Sequence, residues 1–321
     1  LHPQRYAVLD GGFSTTLEAS GYMLDKSLWS AYAVVDNPDG VTAVHRQFLE
    51  AGADIVTTCS YQMSYEGFAS KGIDATAAEN LFRKGTALAR TAVEGCGRPG
   101  LVAASVATYG AHLGDGSEYS GRFGKSIQEL IDWHRPKFEV LSRSRADILA
   151  CETVPCVEEV KAFQHLLMND TSGRYKGSSW ISVACKSSHE LNSGQSLEDA
   201  IRAIEDPIDA TVDGERVAKR IGFGINCTSP AFVNDLVITI AENCCKSRVV
   251  VAYPNSGERW DGVTREWCPA EGMDNNGEFG GDAVTTWYDS GATVIGGCCR
   301  STPATIGGIR RSLRSRVSVS G

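Results

Sequence analysis

The chain has 321 residues, 42% hydrophobic and 22% charged, with a formal net charge of −8, a balance that supports one large buried core. That charge argues against nucleic acid and anionic membranes as partners, because both require clustered Lys and Arg to replace counterions. No apolar run reaches the roughly 18 residues that span a bilayer, and the N-terminus lacks the charged-then-apolar pattern of a secretory signal.

In chain order, short apolar runs alternate with stretches of helical period. Tyr6–Asp10 precedes a helix over Pro38–Glu50, announced by Asn37-Pro38, since proline in a first turn forfeits no hydrogen bond. The pairs that follow are Asp54–Thr58 with Ala77–Glu94, Leu101–Ala107 with Ile127–Arg143, and Asp147–Cys151 with Val157–Leu167. Trp180–Ala184 then leads to Ser196–Ile204, and Ile221–Ile225 leads through Ser229-Pro230 to Phe232–Glu242. Arg248–Ala252 with Asp282–Asp289, and Thr293–Ile295 with an Arg-rich C-terminal helix, complete the series. Runs this short and this continuously apolar suit strands buried on both faces of a parallel sheet.

Eight strand-then-helix units in about 300 residues match a single-domain α/β (β/α)8 TIM barrel spanning 1–321. A doubly wound sheet is the alternative, but no Gly-x-Gly-x-x-Gly follows the first strand, and Gly222-Phe-Gly224 lies inside a strand without a third glycine. The long irregular stretches Tyr109–Lys125, Thr171–Ser179 and Gly257–Gly281 read as loops grafted on the barrel, and Arg310, Arg311, Arg314 and Arg316 as a solvated helix face.

Eleven cysteines without an export signal point to free thiols or metal ligands in a reducing, cytoplasmic compartment. The sequons Asn169-Asp-Thr and Asn226-Cys-Thr carry no weight without secretion. A barrel keeps its chemistry at the C-terminal ends of its strands, and six of the eleven cysteines lie there. Cys59, Cys151 and Cys185 continue apolar strands and read as small buried hydrophobes. Cys96, Cys156, Cys268 and the helix-closing Cys244-Cys245 read as incidental. Cys298-Cys299 differ, because Gly296-Gly297 precede them and let the chain turn so that both sulfurs face one ion. Cys227, closing another strand, is the best placed third ligand. Three thiolates suit zinc at about 2.3 Å, and an open fourth position marks a catalytic site; spacing alone does not decide which cysteines bind.

Asp10-Gly-Gly12, Leu28-Trp-Ser30, Ser60-Tyr-Gln62, Glu152, Gly224-Ile-Asn-Cys227, Tyr253-Pro-Asn-Ser-Gly-Glu258 and Gly296-Gly-Cys-Cys-Arg300 stand in the order seen in the homocysteine S-methyltransferase family, which the chain resembles over nearly its whole length. The resemblance implies a zinc-dependent barrel in which Cys227, Cys298 and Cys299 hold the metal. It implies homocysteine as methyl acceptor and, on the compact length and the Tyr253–Glu258 segment, S-methylmethionine as donor with S-adenosylmethionine as a second. The betaine-using relatives carry a longer C-terminal extension for oligomerisation, whereas this chain stops about twenty residues past its last motif. A monomer or weak homo-oligomer is therefore expected.

Charge then suggests roles for the remaining mouth residues. Glu152, which matches the family's homocysteine-binding glutamate, or Asp10 would receive the acceptor's α-ammonium, with a helix N-terminal carboxylate as the competing reading of Glu152. Backbone amides of Gly11 and Gly12 would hold its carboxylate, and Trp29 and Tyr61 would face the sulfonium. Asn226, Asn255, Ser256 and Glu258 would shape or receive the donor. Two rival functions are a selenocysteine or other small-thiol methyltransferase of the same fold, and a non-enzymatic barrel that stores zinc or senses oxidation.

Overall fold

All eight apolar runs form strands, and all of them are parallel. The computed structural model describes residues 6–25, 28–169, 178–205, 211–212, 215–216, 221–244, 249–261, 266–268 and 281–319. The strands are β1 (Ala7–Val8), β2 (Ile55–Thr57), β3 (Leu101–Ala107), β4 (Ile148–Val154), β5 (Ser178–Val183), β6 (Ile221–Asn226), β7 (Val250–Tyr253) and β8 (Val294–Ile295). They pair in the order β1-β8-β7-β6-β5-β4-β3-β2. Leu9 bridges Ile55 in parallel and Asp10 N donates to Ile55 O at 3.1 Å, so the ends of the sheet meet. The result is the (β/α)8 TIM barrel.

The helices between the strands include Pro38–Ala51, Ala75–Gly95, Ile127–Ser142, Val157–Met168, Leu197–Glu205, Pro230–Asn243, Gly281–Asp289 and, last, Pro303–Val319. Local chemistry sets their ends. Asn37 caps the first by accepting from Gly40 N, and Gly52 at φ 116° stops it; Ser126 and Glu129 form a reciprocal capping box on Ile127–Ser142.

Alternation along the strands divides the core in two. One set of side chains, including Val8, Val56, Val102, Leu149, Cys151, Ile181 and Ile225, packs outward in one large cluster with helix residues such as Phe48, Phe82 and Phe163. The other set, with Leu9, Ile55, Ala103, Ile148, Ala150, Trp180, Val251, Tyr253 and Val294, fills the barrel interior. Glu152 continues the interior series of Ile148 and Ala150, so its carboxylate faces the mouth from within β4 and not from a helix start.

Two expectations change. Arg310 is buried and not solvated: its Nε donates to Gly52 O at 2.9 Å and its guanidinium pairs with Asp54, which ties the last helix to the approach of β2. Arg316 pairs with Asp289 at 3.0 Å, while Arg311 and Arg314 are exposed. The stretch after β3 is also partly ordered as a helix, Tyr109–Leu113, and a 3₁₀ turn, Ser117–Tyr119. Most of the Thr171–Ser179 and Gly257–Gly281 stretches lies outside the described residues. Among the described residues no helix is long and apolar enough to cross a membrane.

Candidate metal centre and the cavity above it

Three cysteines meet at the C-terminal mouth of the barrel. Cys227 follows β6, and Cys298-Cys299 follow β8. Cys227 Sγ lies 3.7 Å from Cys299 Sγ, Cys298 Sγ lies 4.0 Å from Cys299 Sγ, and all three sulfurs fall within 4.8 Å of one another. A tetrahedral ion with bonds of about 2.3 Å holds its sulfurs about 3.8 Å apart. The set therefore fits such an ion with little movement.

The backbone around the sulfurs is held on several sides. Cys298 N donates to Pro254 O at 2.7 Å, Gly297 N to Asp10 O at 2.9 Å, Cys227 N to Tyr253 O at 3.2 Å, and Ser256 N to Cys299 O at 3.1 Å. Glycine is required at 297 for space, because a Cβ there would stand 2.3 Å from Ser301 Cβ. The unusual φ of this turn belongs to Arg300, at 63°; the expected flexibility of Gly296-Gly297 is thus a matter of close approach.

Without a metal the three thiols share protons. Cys299 is held well below the usual thiol range by hydrogen bonds from Cys227 and Cys298, and Cys227 is pushed well above it by its bonds to Cys298 and Cys299. Three sulfurs close enough to share protons are a donor set that a cation can replace. The other strand-end cysteines behave as apolar side chains: burial pushes both Cys59 and Cys185 up to about 12.

Above the sulfurs opens a cavity of about 190 Å³ whose walls include Asp10, Gly11, Gly12, Trp29, Tyr61, Glu152, Cys227, Cys298 and Cys299. A β-bulge between Cys151 and Val154, where β4 shifts register against β5, breaks the alternation after Glu152, so that Thr153 lines the cavity beside it. Glu152 Oε1 accepts from Ser105 Oγ, and Oε2 accepts from Tyr253 OH at 3.1 Å. Tyr253 in turn accepts from Trp180 Nε1 at 3.1 Å and meets Ser182 Oγ at 2.6 Å, so a buried network fixes the carboxylate from below. Burial pushes its pKa up to about 7, with the Ser105 bond opposing.

Asp10 is tied down as well. It accepts from Thr57 N at 2.7 Å and from Thr57 Oγ1 at 3.0 Å, and burial holds its pKa well above the carboxylate range. Gly12 N donates to Ser301 O at 2.8 Å, so of the two glycine amides expected to hold a carboxylate, that of Gly12 is already committed. Asn226 accepts from Thr153 N at 2.7 Å, donates to Thr153 Oγ1 at 2.7 Å and reaches Cys298 Sγ at 3.9 Å. It orients the Cys298 sulfur from outside the cavity.

Asn255, Ser256 and Glu258 do not line the cavity; they brace the cysteine turn. Asn255 N donates to Thr228 O at 3.2 Å, Ser256 Oγ donates to Glu258 at 2.7 Å, and Glu258 pairs with Arg300. Sequence reasoning missed Glu118 and Tyr119, which line the cavity from the 3₁₀ turn after β3. Their signal was the position of that long stretch directly after a strand's C-terminal end.

The sequence model of the homocysteine S-methyltransferase family matches residues 7–313. The chain belongs to that family. Among curated relatives, it is 40% identical to the selenocysteine Se-methyltransferase of Brassica oleracea var. italica, covering 98% of this chain and 90% of the relative. It is 39% identical to homocysteine S-methyltransferase 2 of Arabidopsis thaliana, covering 98% and 95%. Among solved structures, the homocysteine methyltransferase MmuM from Escherichia coli in its metallated form superposes with a TM-score of 0.78 at 32% identity, over 96% of each chain. As a member of the family this chain is a methyltransferase, and the non-enzymatic thiol-store reading falls away.

Proposed function

We propose that the chain transfers a methyl group from a sulfonium donor, S-methylmethionine with S-adenosylmethionine as a second, to the thiol of homocysteine, using zinc held by Cys227, Cys298 and Cys299. The observation that carries this reading is the spacing of the three sulfurs beside an open, carboxylate-lined cavity. Bound there, zinc supplies Lewis-acid chemistry that keeps the acceptor's sulfur as thiolate at neutral pH, where a free thiol of pKa about 8.5 is mostly protonated. The whole reaction lies in one barrel over 1–321.

The chain's own residues do the rest. Glu152 receives the α-ammonium of homocysteine, since its two oxygens are aimed by Ser105 and Tyr253. Gly11 offers its backbone amide to the acceptor carboxylate, and Asp10 with Thr57 holds that strand end in place. Trp29 and Tyr61 face the sulfonium, a contact worth roughly 0.5–2 kcal/mol per ring. The acceptor sulfur attacks the donor methyl in line; the new S–C bond forms as the old C–S⁺ bond breaks, and its electron pair returns to the donor sulfur. The donor leaves as a neutral thioether, the thiol proton goes to solvent, and S-methylmethionine yields two methionines.

Selenocysteine is a second acceptor on this reading, favoured by the 40% identity to a selenocysteine Se-methyltransferase. The test is a methyl-transfer assay with homocysteine and selenocysteine against S-methylmethionine, S-adenosylmethionine and betaine, with zinc counted per chain. Methionine formed from a sulfonium donor with one zinc bound supports the proposal; turnover with betaine alone, or full turnover by metal-free chain, overturns it.

A further inference from the structure

The cavity wall carries four carboxylates, those of Asp10, Glu18, Glu118 and Glu152, beside four thiols, and among the described residues that line it none is Lys, Arg or His. Three of the four carboxylates have an assigned neighbour. Asp10 is bonded to Thr57, Glu152 to Ser105 and Tyr253, and Glu18 feels the charge of Arg300. Glu118 differs, because its Oε2 is buried and has no hydrogen-bond partner. Burial, with Asp115 adding like charge, pushes its pKa up to about 7. A buried acceptor left unmade is costly, and natural sites keep one when a ligand satisfies it.

The segment that carries Glu118 is not a loose loop tip. Gly110 packs directly beneath it, where a Cβ would stand 2.4 Å from Glu118 N, and Asn192 Nδ2 donates to Glu118 O at 3.1 Å. The start of the same segment is fastened by Glu159, which accepts from Thr108 Oγ1 at 2.5 Å and from Tyr109 N at 2.6 Å. Two rings line the same cavity: Tyr61, whose hydroxyl bonds Thr153 and which feels Glu118 more strongly than any other charge, and Tyr119, 37% exposed. An unpartnered carboxylate beside aromatic faces is a site for an ammonium or sulfonium group.

Resting on the reading under Proposed function, depth assigns the ligand. On that reading Glu152, inside β4 and on the wall that also carries the cysteines, serves the acceptor. The donor must lie outward of the acceptor's sulfur to present its methyl, so its amino-acid end extends toward the rim, where Glu118 stands. We propose that Glu118 accepts a hydrogen bond from the donor's α-ammonium, with Tyr61 and Tyr119 covering the adjoining cation, and that it selects sulfoniums carrying a free α-amino group.

The test compares S-methylmethionine with 4-(dimethylsulfonio)butanoate, which keeps the sulfonium and carboxylate and lacks only the amino group, at saturating homocysteine in the zinc-loaded enzyme. For the wild type, kcat/KM should favour S-methylmethionine by about 10- to 100-fold, the scale of a hydrogen bond between charged groups. In E118Q that preference should shrink to about threefold or less, while the KM for homocysteine and the zinc content stay unchanged. E118D, which keeps the charge, should restore part of it. A wild-type preference near one, or the full preference retained in E118Q or in E118A, overturns the assignment. A wild type inactive with both sulfoniums would sink the sulfonium-donor reading under Proposed function, whereas active wild type with undiminished discrimination in E118Q sinks only this inference.

Discussion

Glu152→Gln separates what this carboxylate does for binding from what its burial costs the fold. The folded carboxyl titrates at about 7, raised from 4.5 chiefly by burial. Because the folded state holds the proton more tightly, it binds more protons than the unfolded chain between those values, and stability falls as pH rises through that window and levels off above it. With about 1.4 kcal/mol per pH unit, the penalty on the wild type is about 1 kcal/mol at pH 5 and about 3 kcal/mol at pH 8. Glutamine carries the same shape and no titration. E152Q should therefore gain on the wild type by about 2 kcal/mol between pH 5 and pH 8, measured by urea unfolding of reduced, chelator-treated protein so that no metal charge enters. Its affinity for homocysteine should fall at the same time by about 10- to 100-fold, the scale of a lost charge-assisted hydrogen bond. A stability difference that does not change with pH, or homocysteine binding equal to the wild type, would refute the account of Glu152 as a buried, ligand-compensated charge.

Cys298→Ser should abolish zinc binding and lower methyl transfer by more than about 100-fold, since even groups that merely orient a metal ligand are worth 10- to 100-fold, with the far-ultraviolet circular dichroism unchanged; full activity in C298S would overturn the ligand assignment. Gly224→Ala would place a Cβ 1.9 Å from Val251 O, so β6 and β7 must separate, and a thermal melt should show a loss of at least about 2 kcal/mol. Glu159→Ala strips the acceptor from Thr108 Oγ1, Tyr109 N and His134 Nε2, the last at 2.8 Å. About 3 kcal/mol of stability should go with it, and the donor KM should rise more than the homocysteine KM as the Glu118 segment loosens, which steady-state kinetics with each substrate varied will show.

Each of the eight strands was legible because a strand buried on both faces must be continuously apolar, and none of these runs has another use. The cysteine pair was legible because adjacent thiols after a diglycine have few structural reasons to exist. The bracing role of Asn255, Ser256 and Glu258 was not, since their polar side chains and their place after a strand also fit a ligand-facing rim; only Cys299 O and Arg300 as partners reveal it. Arg310 misled for a similar reason. Its charge suggested solvent, but a guanidinium can cap the carbonyl of Gly52 and pair with Asp54 while its stem packs in the core. Glu118 was missed because the place of its stretch after a strand end points to the mouth without saying which of its residues folds back over the cavity.

Backbone strain explains why the remainder of the site could not be read from residue types. Among the described residues four non-glycines have φ in the left-handed region: Trp29 at 47°, Thr153 at 61°, Cys227 at 50° and Arg300 at 63°. Each such position costs on the order of 1–3 kcal/mol, and glycine would relieve most of it. All four nevertheless stand at the barrel mouth: three are cavity walls, Cys227 among them a proposed ligand, and Arg300 follows Cys299, a second proposed ligand. At Cys227 the reason is geometric. Asn226 ends β6 with its side chain committed to Thr153, and regular alternation would turn the next side chain away from it. A left-handed residue breaks the alternation and brings Cys227 Sγ to 3.7 Å from Cys299, yet glycine cannot serve there because the sulfur is needed. The strain is thus the consequence of requiring a side chain where the chain must also turn, and the closed ladder of eight strands behind it is what keeps the turn from relaxing.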